Sequence, residues 1–511
     1  MADSAEVKLP SSSQDRLSSK SLRSGAISIV AQGINTCVQI GTTICLARLL
    51  LPDDFGLVAM VAALTGFANV FMDLGTRDAA VQKTHLTYVE LSALFWLTVG
   101  IGGTLTLATA LSASLIADFY HESRLKGIAQ IWGLAFVLTA LSCQHAALLR
   151  RDLEFKKVSL IETAGNVIGA GGAITIALYG GGYWALVWRP VLTAFFTLIL
   201  IWFNCRWVPG IPSLSESVKE TVKFGLHITG FTITDYVARA ADRVGLGYLT
   251  GARELGYYQN ASTIHENAIT VLAHPLHSVA VATLSKLRDN LEELKRSWSV
   301  AISSLAFFAM PAFIVLAVIG PDLVVVLLGE KWLQTGVLLT AFALRGPAQV
   351  VERTLGWLHV AAARADRWMR WGIFSCGIQI LAILCGLPFG AIGVAASYTI
   401  GMYLLFIPAI VYAGHPLGIG FSHLARAVTA PFIGSLCAAL VGFGIRAYLP
   451  EDSRIERIAI LLLVCVLSYL AVTVGIFKVT KPIRVATRLV KDFLPARISR
   501  LFDGRPWGGE I

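Results

Sequence analysis

From Gly25 to Phe477 the chain repeats a single pattern, a run of about 20 apolar residues followed by a short charged or Gly/Pro loop. A run of that length is what an α-helix needs to cross the hydrocarbon of a bilayer. Fourteen such runs occur, at about 25–47, 56–75, 91–117, 125–149, 158–180, 183–205, 223–249, 256–283, 298–319, 334–362, 371–388, 390–413, 425–448 and 457–477. Hydrocarbon offers the backbone no hydrogen-bond partner, so only helices and closed β-barrels can span it. Barrel strands are short and alternate polar with apolar residues, and these runs do neither. The expected fold is all-α, a polytopic membrane protein of about 14 transmembrane helices. With 55% hydrophobic and 14% charged residues, the chain is too apolar for a water-soluble domain of this length.

The net charge of +10 invites a nucleic-acid reading, but its distribution points elsewhere. With the N-terminus placed inside and the spans alternating, 29 of the 42 Lys and Arg fall in inner tails and loops, 8 in outer loops and 5 within spans. That bias orients a membrane protein with both termini in the cytoplasm, and it implies no nucleic-acid partner. The first 22 residues are Ser-rich and polar, and are expected to form a disordered cytoplasmic tail without a cleavable leader. At the other end, residues 480–511 alternate basic with apolar residues, as an interfacial helix on anionic lipid would.

Internal symmetry organises the middle of the chain. "LARLLLPDDFG" (Leu46–Gly56) closes the first run and "LGYLTGARELG" (Leu246–Gly256) closes the seventh, at an offset of 200 residues. Leu46 then aligns with Leu246, Leu49 with Leu249, Asp54 with Glu254 and Gly56 with Gly256. Both copies start inside and end outside, so the repeat is parallel. Two parallel lobes around a central cavity are a recurrent transporter plan. The expected division is an N-lobe at 23–206, a C-lobe at 207–413, two extra helices at 414–479 and the basic tail.

Charges inside the spans are the chemistry-bearing residues. A charged group in hydrocarbon costs about 2.5–3.5 kcal/mol or more, so these side chains pair or face water. In the seventh run Asp235, Arg239 and Asp242 share a face, with Arg243 beside it. In the tenth, Arg345, Glu352 and His359 are spaced by seven along one face, with Gln349 and Arg353 on or near it. Arg189 and Glu266 are further candidates, as is Glu162. The candidate substrate-binding set is Arg345, Arg239, Arg189, Asp235, Asp242, Glu352 and Arg353; the candidate ion-coupling carboxylates are Asp235, Glu266 and Glu352. Their signs nearly cancel in the count, which leaves a polar cavity and buried structural pairs both open. Pro190, Pro275, Pro311, Pro347, Pro408 and Pro431 also fall within runs, and Arg345-Gly346-Pro347 is the leading hinge candidate.

The chain has no G-x-x-x-x-G-K-[ST] loop, no H-E-x-x-H, no paired CxxC and no long soluble segment, so neither catalysis, a metal nor a cofactor is expected. The eight cysteines lie within or at the ends of runs and read as small packing residues.

The ordered set "LARLLLPDDFG", "FMDLGTRDAAVQ" (Phe71–Gln82), "ARAADRVGLGYLTGARELGYYQNA" (Ala238–Ala261), "LLGEKW" (Leu327–Trp332) and "ARADRWMRWG" (Ala363–Gly372) resembles bacterial polysaccharide-repeat flippases of the Wzx type, in particular the WzxC-like branch. These sit within the larger group that includes lipid II flippases and MATE exporters. The resemblance runs over roughly residues 20–480. It implies about fourteen helices in two lobes, residence in the bacterial inner membrane, and transfer of an undecaprenyl-diphosphate-linked oligosaccharide to the outer leaflet. Polysaccharide polymerase and chain-length regulator are the partners it suggests. Arg239 and Asp242 fall where the family commonly has Arg-x-x-Asp, whereas Ala241 replaces a frequent Asn. Tyr236, Tyr257, Tyr258 and Trp357 are candidate sugar-facing aromatics. A MATE-like exporter of small molecules and a non-transporting assembly scaffold are the alternative functions.

Overall fold

A computed structural model describes residues 31–72, 87–211, 216–287, 290–450 and 453–484, with side chains at 69–71, 216–235, 237–239, 274–279, 281–282, 285 and 365 outside the description. The expectations for the N-tail and for nearly all of the C-terminal tail lie outside the described residues. Among the described residues the regular structure is helical, with no strand. The helices are α1 (31–49), α2 (Pro52–Thr65), α3 (Phe67–Met72), α4 (Tyr88–Leu111), α5 (Ala113–Tyr120), α6 (Arg124–Arg151), α7 (Phe155–Leu178) and α8 (Trp184–Asn204). Next comes Glu216–Lys286, broken at Gly251 into α9 (216–250) and α10 (252–286). Then follow α11 (Leu291–Leu328), α12 (Leu333–Ala361), α13 (Ala365–Gly386), α14 (Gly390–Gly414), α15 (Phe421–Arg446) and α16 (Arg454–Leu470).

Each of the fourteen apolar runs is helical over most of its described residues. Eight stretches among them are long and apolar enough to cross a membrane, and one, Asp366–Leu417, holds the two successive helices α13 and α14. The protein is a multi-pass helical membrane protein. Helices run on through Pro190, Pro311, Pro347, Pro408 and Pro431.

Two compact units form. The first takes the chain up to Gln259 together with Leu327–Lys331; the second takes Asn260–Val326 and the chain from Trp332 onward. In the first, α7 packs on α8, α4 on α6, and α6 on α8. The α7–α8 contact is built on small residues: a Cβ on Gly165 or Gly169 would overlap the Thr197 or Thr193 hydroxyl. Helices in lipid gain little from the hydrophobic effect, and close approach supplies the dispersion energy instead. After α8 the segment 205–211 is pinned to α4. Tyr88 and Trp96 donate to the carbonyls of Val208 (2.7 Å) and Gly210 (2.9 Å), and Gly210 N–H donates to Ser92 Oγ (2.9 Å).

The two copies of the repeat meet within the first unit. A Cβ on Gly56 would overlap the carbonyl of Ala252, and a Cβ on Gly256 would overlap the carbonyl of Pro52. At the 200-residue offset Pro52 aligns with Ala252 and Gly56 with Gly256, so each glycine receives the same carbonyl of the other copy. Reciprocal contacts of this kind are the signature of a two-fold relation. The surrounding contacts follow the same rule. The end of α1 is met at Arg48, whose Nε donates to Leu327 O (2.8 Å), while Lys331 Nζ donates to Arg48 O (2.9 Å) and Leu50 O (2.6 Å). The end of α9 is met at the aligned Tyr248, by Phe119 (ring centroids 5.0 Å) and His121 (6.3 Å). In both cases the contact comes from the end of a helix in the other half of the chain, together with the residues just after it. The two breaks differ in chemistry: Leu51 is extended, whereas Gly251 has φ 81°, which only glycine adopts at little cost.

Gly56→Val and Gly256→Val are each expected to lower stability by about 1–3 kcal/mol, the usual cost of overpacking. Gly41→Ala, where a Cβ meets open space, should leave the unfolding midpoint unchanged. Thermal unfolding of the three purified variants in detergent checks this, and three equal midpoints would remove the close contact.

The second unit is centred on α11. Trp298, Ile302, Leu305, Met310 and Phe313 are buried with Val351, Leu355, Trp357 and Leu358 of α12 and Ala409 and Ile410 of α14. A neighbouring cluster joins Phe307, Ile314 and Val318 to Ala438 and Ala439 of α15 and to Leu461, Cys465 and Tyr469 of α16. Tyr469 Oη donates to the Phe307 carbonyl at 2.7 Å. The last two helices are thereby built into the core of this unit.

Candidate functional site

The most connected polar cluster in the second unit lies between α10 and α12. Arg345, Gln349 and Arg353 recur every four residues, so they form one ridge on α12. Facing them are His265 and Glu266 of α10. Glu266 accepts from Gln349 Nε2 at 3.0 Å and pairs with Arg353 Nη2 at 3.3 Å and with Arg345 Nη2 at 3.5 Å. His265 Nε2 is 2.7 Å from Gln349 Oε1 and 3.3 Å from Arg345 Nε. One ring nitrogen cannot donate to the first and accept from the second at once, and the shorter distance marks Gln349 as its partner.

Packing holds Arg345 in place. Its guanidinium carbon lies 4.6 Å from the Phe342 ring centroid and 4.8 Å from that of Tyr398, whose hydroxyl donates to Gln379 Oε1 at 3.2 Å. His265, fully buried, packs against Phe313 (5.2 Å) and Phe342 (6.1 Å). Gly346 makes this arrangement possible, because a Cβ there would overlap the Phe313 ring. Burial then grades across the cluster. The Arg345 side chain is 6% exposed, whereas Glu266 at 38% and Arg353 at 41% open outward. Two guanidiniums meet a single carboxylate, and a further anion is what such a cluster would attract.

Several expectations change here. The seven-residue spacing of Arg345, Glu352 and His359 does not bring the three side chains into one cluster. Arg345 pairs with Glu266, and the ridge runs through Gln349 and Arg353. Glu352 is exposed on a separate cleft with Val351, Leu355, Trp371 and Phe406. His359 is buried and stacks on Trp368 at 6.2 Å. A seven-residue stripe drifts by about 20° per step and suits a supercoiled seam, whereas α12 packs on α10 through its four-residue ridge.

In the first unit Tyr258 Oη donates to Asp242 Oδ2 at 2.7 Å, and Arg243 N–H donates to Oδ1 at 2.7 Å. Tyr236 Oη donates to the carbonyls of Ala62 and Ala63. Tyr257, Tyr258 and Trp357 are buried, so they offer no surface for sugars in this state. Arg189 is half-buried in α8, and Glu162 pairs with Arg150 at 2.7 Å. The side chains of Asp235 and Arg239 lie outside the described residues.

Sequence reasoning missed one ion cluster altogether. Asp322 Oδ2 lies 3.2 Å from Arg457 Nε and 3.3 Å from Arg446 Nη2, with Asp322 and Arg457 each 6% exposed. The three residues sit at the ends of α11, α15 and α16, where span counting treats charges as loop. The available signal was one acid and two bases at span ends on the same side.

The described helices are similar to known proteins in sequence and in fold. The lipopolysaccharide biosynthesis protein WzxC of Escherichia coli is 26% identical over 414 residues, 78% of this chain and 82% of that one. The teichuronic acid biosynthesis protein TuaB of Bacillus subtilis is 24% identical, over 82% of this chain and 87% of the relative. Among solved structures, the lipid II flippase MurJ in an inward closed conformation aligns with a TM-score of 0.72 at 14% identity, covering 89% of this chain and 99% of that one. An inward-facing MATE family multidrug transporter aligns at 0.55, again at 14% identity, over 76% of this chain and 98% of that one. At these identities the two structural likenesses establish the fold. A match to the family model over residues 45–336, more than half of the chain, settles descent as well: this multi-pass membrane protein belongs to the polysaccharide biosynthesis protein family.

Proposed function

We propose that the protein is a flippase, moving an undecaprenyl-diphosphate-linked oligosaccharide from the inner to the outer leaflet of the bacterial inner membrane by alternating access. One observation carries the reading: a buried Arg345 and a half-exposed Arg353 share a single carboxylate, in a family whose members serve polysaccharide biosynthesis. A diphosphate has the charge and the oxygen geometry to be bound by two guanidiniums. The lipid tail stays in the bilayer, so the protein need only shelter the polar head. Arg239, Arg189, Asp235 and Asp242 complete the proposed substrate path, with Asp235, Glu266 and Glu352 as the carboxylates available for ion coupling. The glycan would then pass to a polysaccharide polymerase and a chain-length regulator. The lobes are proposed at 23–206 and 207–413, with fourteen spans and both termini cytoplasmic. A MATE-like exporter would want an isolated carboxylate in an apolar cavity, and here arginine surrounds the acid.

Transport is tested in proteoliposomes, with a fluorescent undecaprenyl-diphosphate glycan and a membrane-impermeant quencher. Protein-dependent transfer of that lipid, absent for a cationic drug probe, is the expected result; the reverse preference would remove the flippase reading. Topology is tested separately in a cysteine-free background. Cysteines placed at Glu122, Gly181 and Asp452 should react with an impermeant thiol reagent from outside, while those at Ser217, Asn290 and Asp366 should not. A reversed pattern would overturn the fourteen-span arrangement.

A further inference from the structure

A second cationic site lies away from the α10–α12 cluster, at the ends of α13 and α14 that adjoin the loops 362–364 and 415–420. A cavity of about 480 Å³ is lined there by Arg367, Trp371, Pro408, Val411, Tyr412 and His415. Arg367 is fixed at its wall. Its Nη2 donates to the Tyr412 carbonyl at 2.7 Å, and its guanidinium carbon stacks 4.1 Å from the centroid of the Tyr412 ring. Trp371 stacks on the other partner of that pair, 5.5 Å from Tyr412 at an interplanar angle of 28°. The Nε of Arg367 is buried and has no acceptor among the described residues.

No carboxylate lines the cavity, and the nearest acid in sequence is committed elsewhere. Asp366 accepts both hydrogen bonds of Arg364, from Nε at 2.9 Å and Nη2 at 3.0 Å. Among the described residues the positive charge of Arg367 thus has no counter-ion of its own, in a pocket whose walls are aromatic. Val411, a wall of the cavity, is itself exposed, as are the apolar side chains of Leu404 and Ile407 on the preceding turns of α14. In a multi-pass protein such a surface faces lipid, and the exposed Trp368 beside it marks the headgroup level, where tryptophan concentrates.

The geometry points to a binding site for the phosphate of an anionic phospholipid, with Arg367 as the phosphate ligand, Trp371 and Tyr412 as the walls, and the acyl chains lying along α13 and α14. A basic pocket between spans at headgroup depth is the form such sites take. The occupant is a bilayer lipid and not a soluble phosphate, because the mouth opens onto the lipid-facing surface. The site shares no residue with the Arg345 cluster, and its Trp371 also borders the cleft that holds Glu352.

The experiment is native mass spectrometry of the full-length protein, delipidated in detergent and titrated with phosphatidylglycerol or with phosphatidylcholine of the same chains. Wild type is expected to retain phosphatidylglycerol in clear preference. Arg367→Gln should weaken that retention about tenfold, the loss of roughly 1.4 kcal/mol that one charge-assisted bond supplies. Arg364→Gln, which changes a nearby arginine outside the cavity, should retain it as wild type does. Trp371→Leu, which leaves the guanidinium in place, is a second variant should Arg367→Gln fold poorly, and it should weaken retention as well. Equal retention of the two lipids by wild type would overturn the site, as would Arg367→Gln or Trp371→Leu binding like wild type. Displacement of phosphatidylglycerol by millimolar inorganic phosphate would reassign it to a soluble anion and overturn the lipid.

Discussion

Arg345→Met is expected to reduce glycan transfer at least tenfold while the protein still reaches the membrane in near-normal amount. Methionine keeps much of the side-chain volume between Phe342 and Tyr398 but removes the charge and the planar donor fork. The fold should tolerate the change, because Glu266 retains Gln349 and Arg353 and is 38% exposed, so it is not left orphaned. Arg345→Lys should restore only part of the activity, since an ammonium keeps the charge without bidentate geometry. The competing explanation is that Arg345 only neutralises its partner. The structure names that partner as Glu266 and not Glu352, so the decisive double change is Arg345→Met with Glu266→Gln. A pair serving stability alone can be replaced by neutral groups at little cost. Full transfer by this double variant would sink the phosphate role. Continued loss, with stable protein, is the expected outcome.

Asp322→Ala is expected to cost about 3–5 kcal/mol of stability, the range for leaving a buried charge without its partner. Two arginines depend on this carboxylate. Arg457 is as buried as Asp322 itself, and Arg446 is 18% exposed and also donates to the Val318 carbonyl. The change should act mainly on the packing of α15 and α16 against α11, which the same cluster of residues joins through Val318, Leu461 and Tyr469. Limited proteolysis in detergent should therefore show cleavage in the 447–453 loop before the rest of the second unit is attacked. Removing all three charges together, with Asp322→Leu, Arg446→Met and Arg457→Met, should recover most of the loss. An unfolding midpoint for Asp322→Ala equal to that of wild type would show that the triad holds nothing.

The helical membrane fold was legible in the sequence because hydrocarbon imposes it. A backbone without water must satisfy itself within a helix, and the run length is set by the bilayer, so each apolar run could be read as a helix with no knowledge of its neighbours. The repeat was legible for a similar reason. Gly56 and Gly256 carry no side chain because the backbone of the other copy fills that space, and a steric demand of this kind is written directly into residue identity.

The site was legible only as a list of residues. Counting charges within spans gave acids and bases that nearly cancelled, and no sum over the chain could say which of them meet. Tertiary structure sorted them: Arg345 and Arg353 went to Glu266, Glu352 to a separate cleft, Asp242 to the Tyr258 hydroxyl, and Asp322 to two arginines of the last helices. Periodicity gives the face a residue lies on, but not which face a second helix meets, and α10 meets α12 along the four-residue ridge of Arg345, Gln349 and Arg353. The sequence by itself determined what is imposed locally by the solvent, namely the helices, their lengths and the glycines at close contacts. Which charge neutralises which was decided by packing between segments far apart in the chain, because electrostatic energy at low dielectric depends on distances of a few ångströms that only the folded arrangement sets.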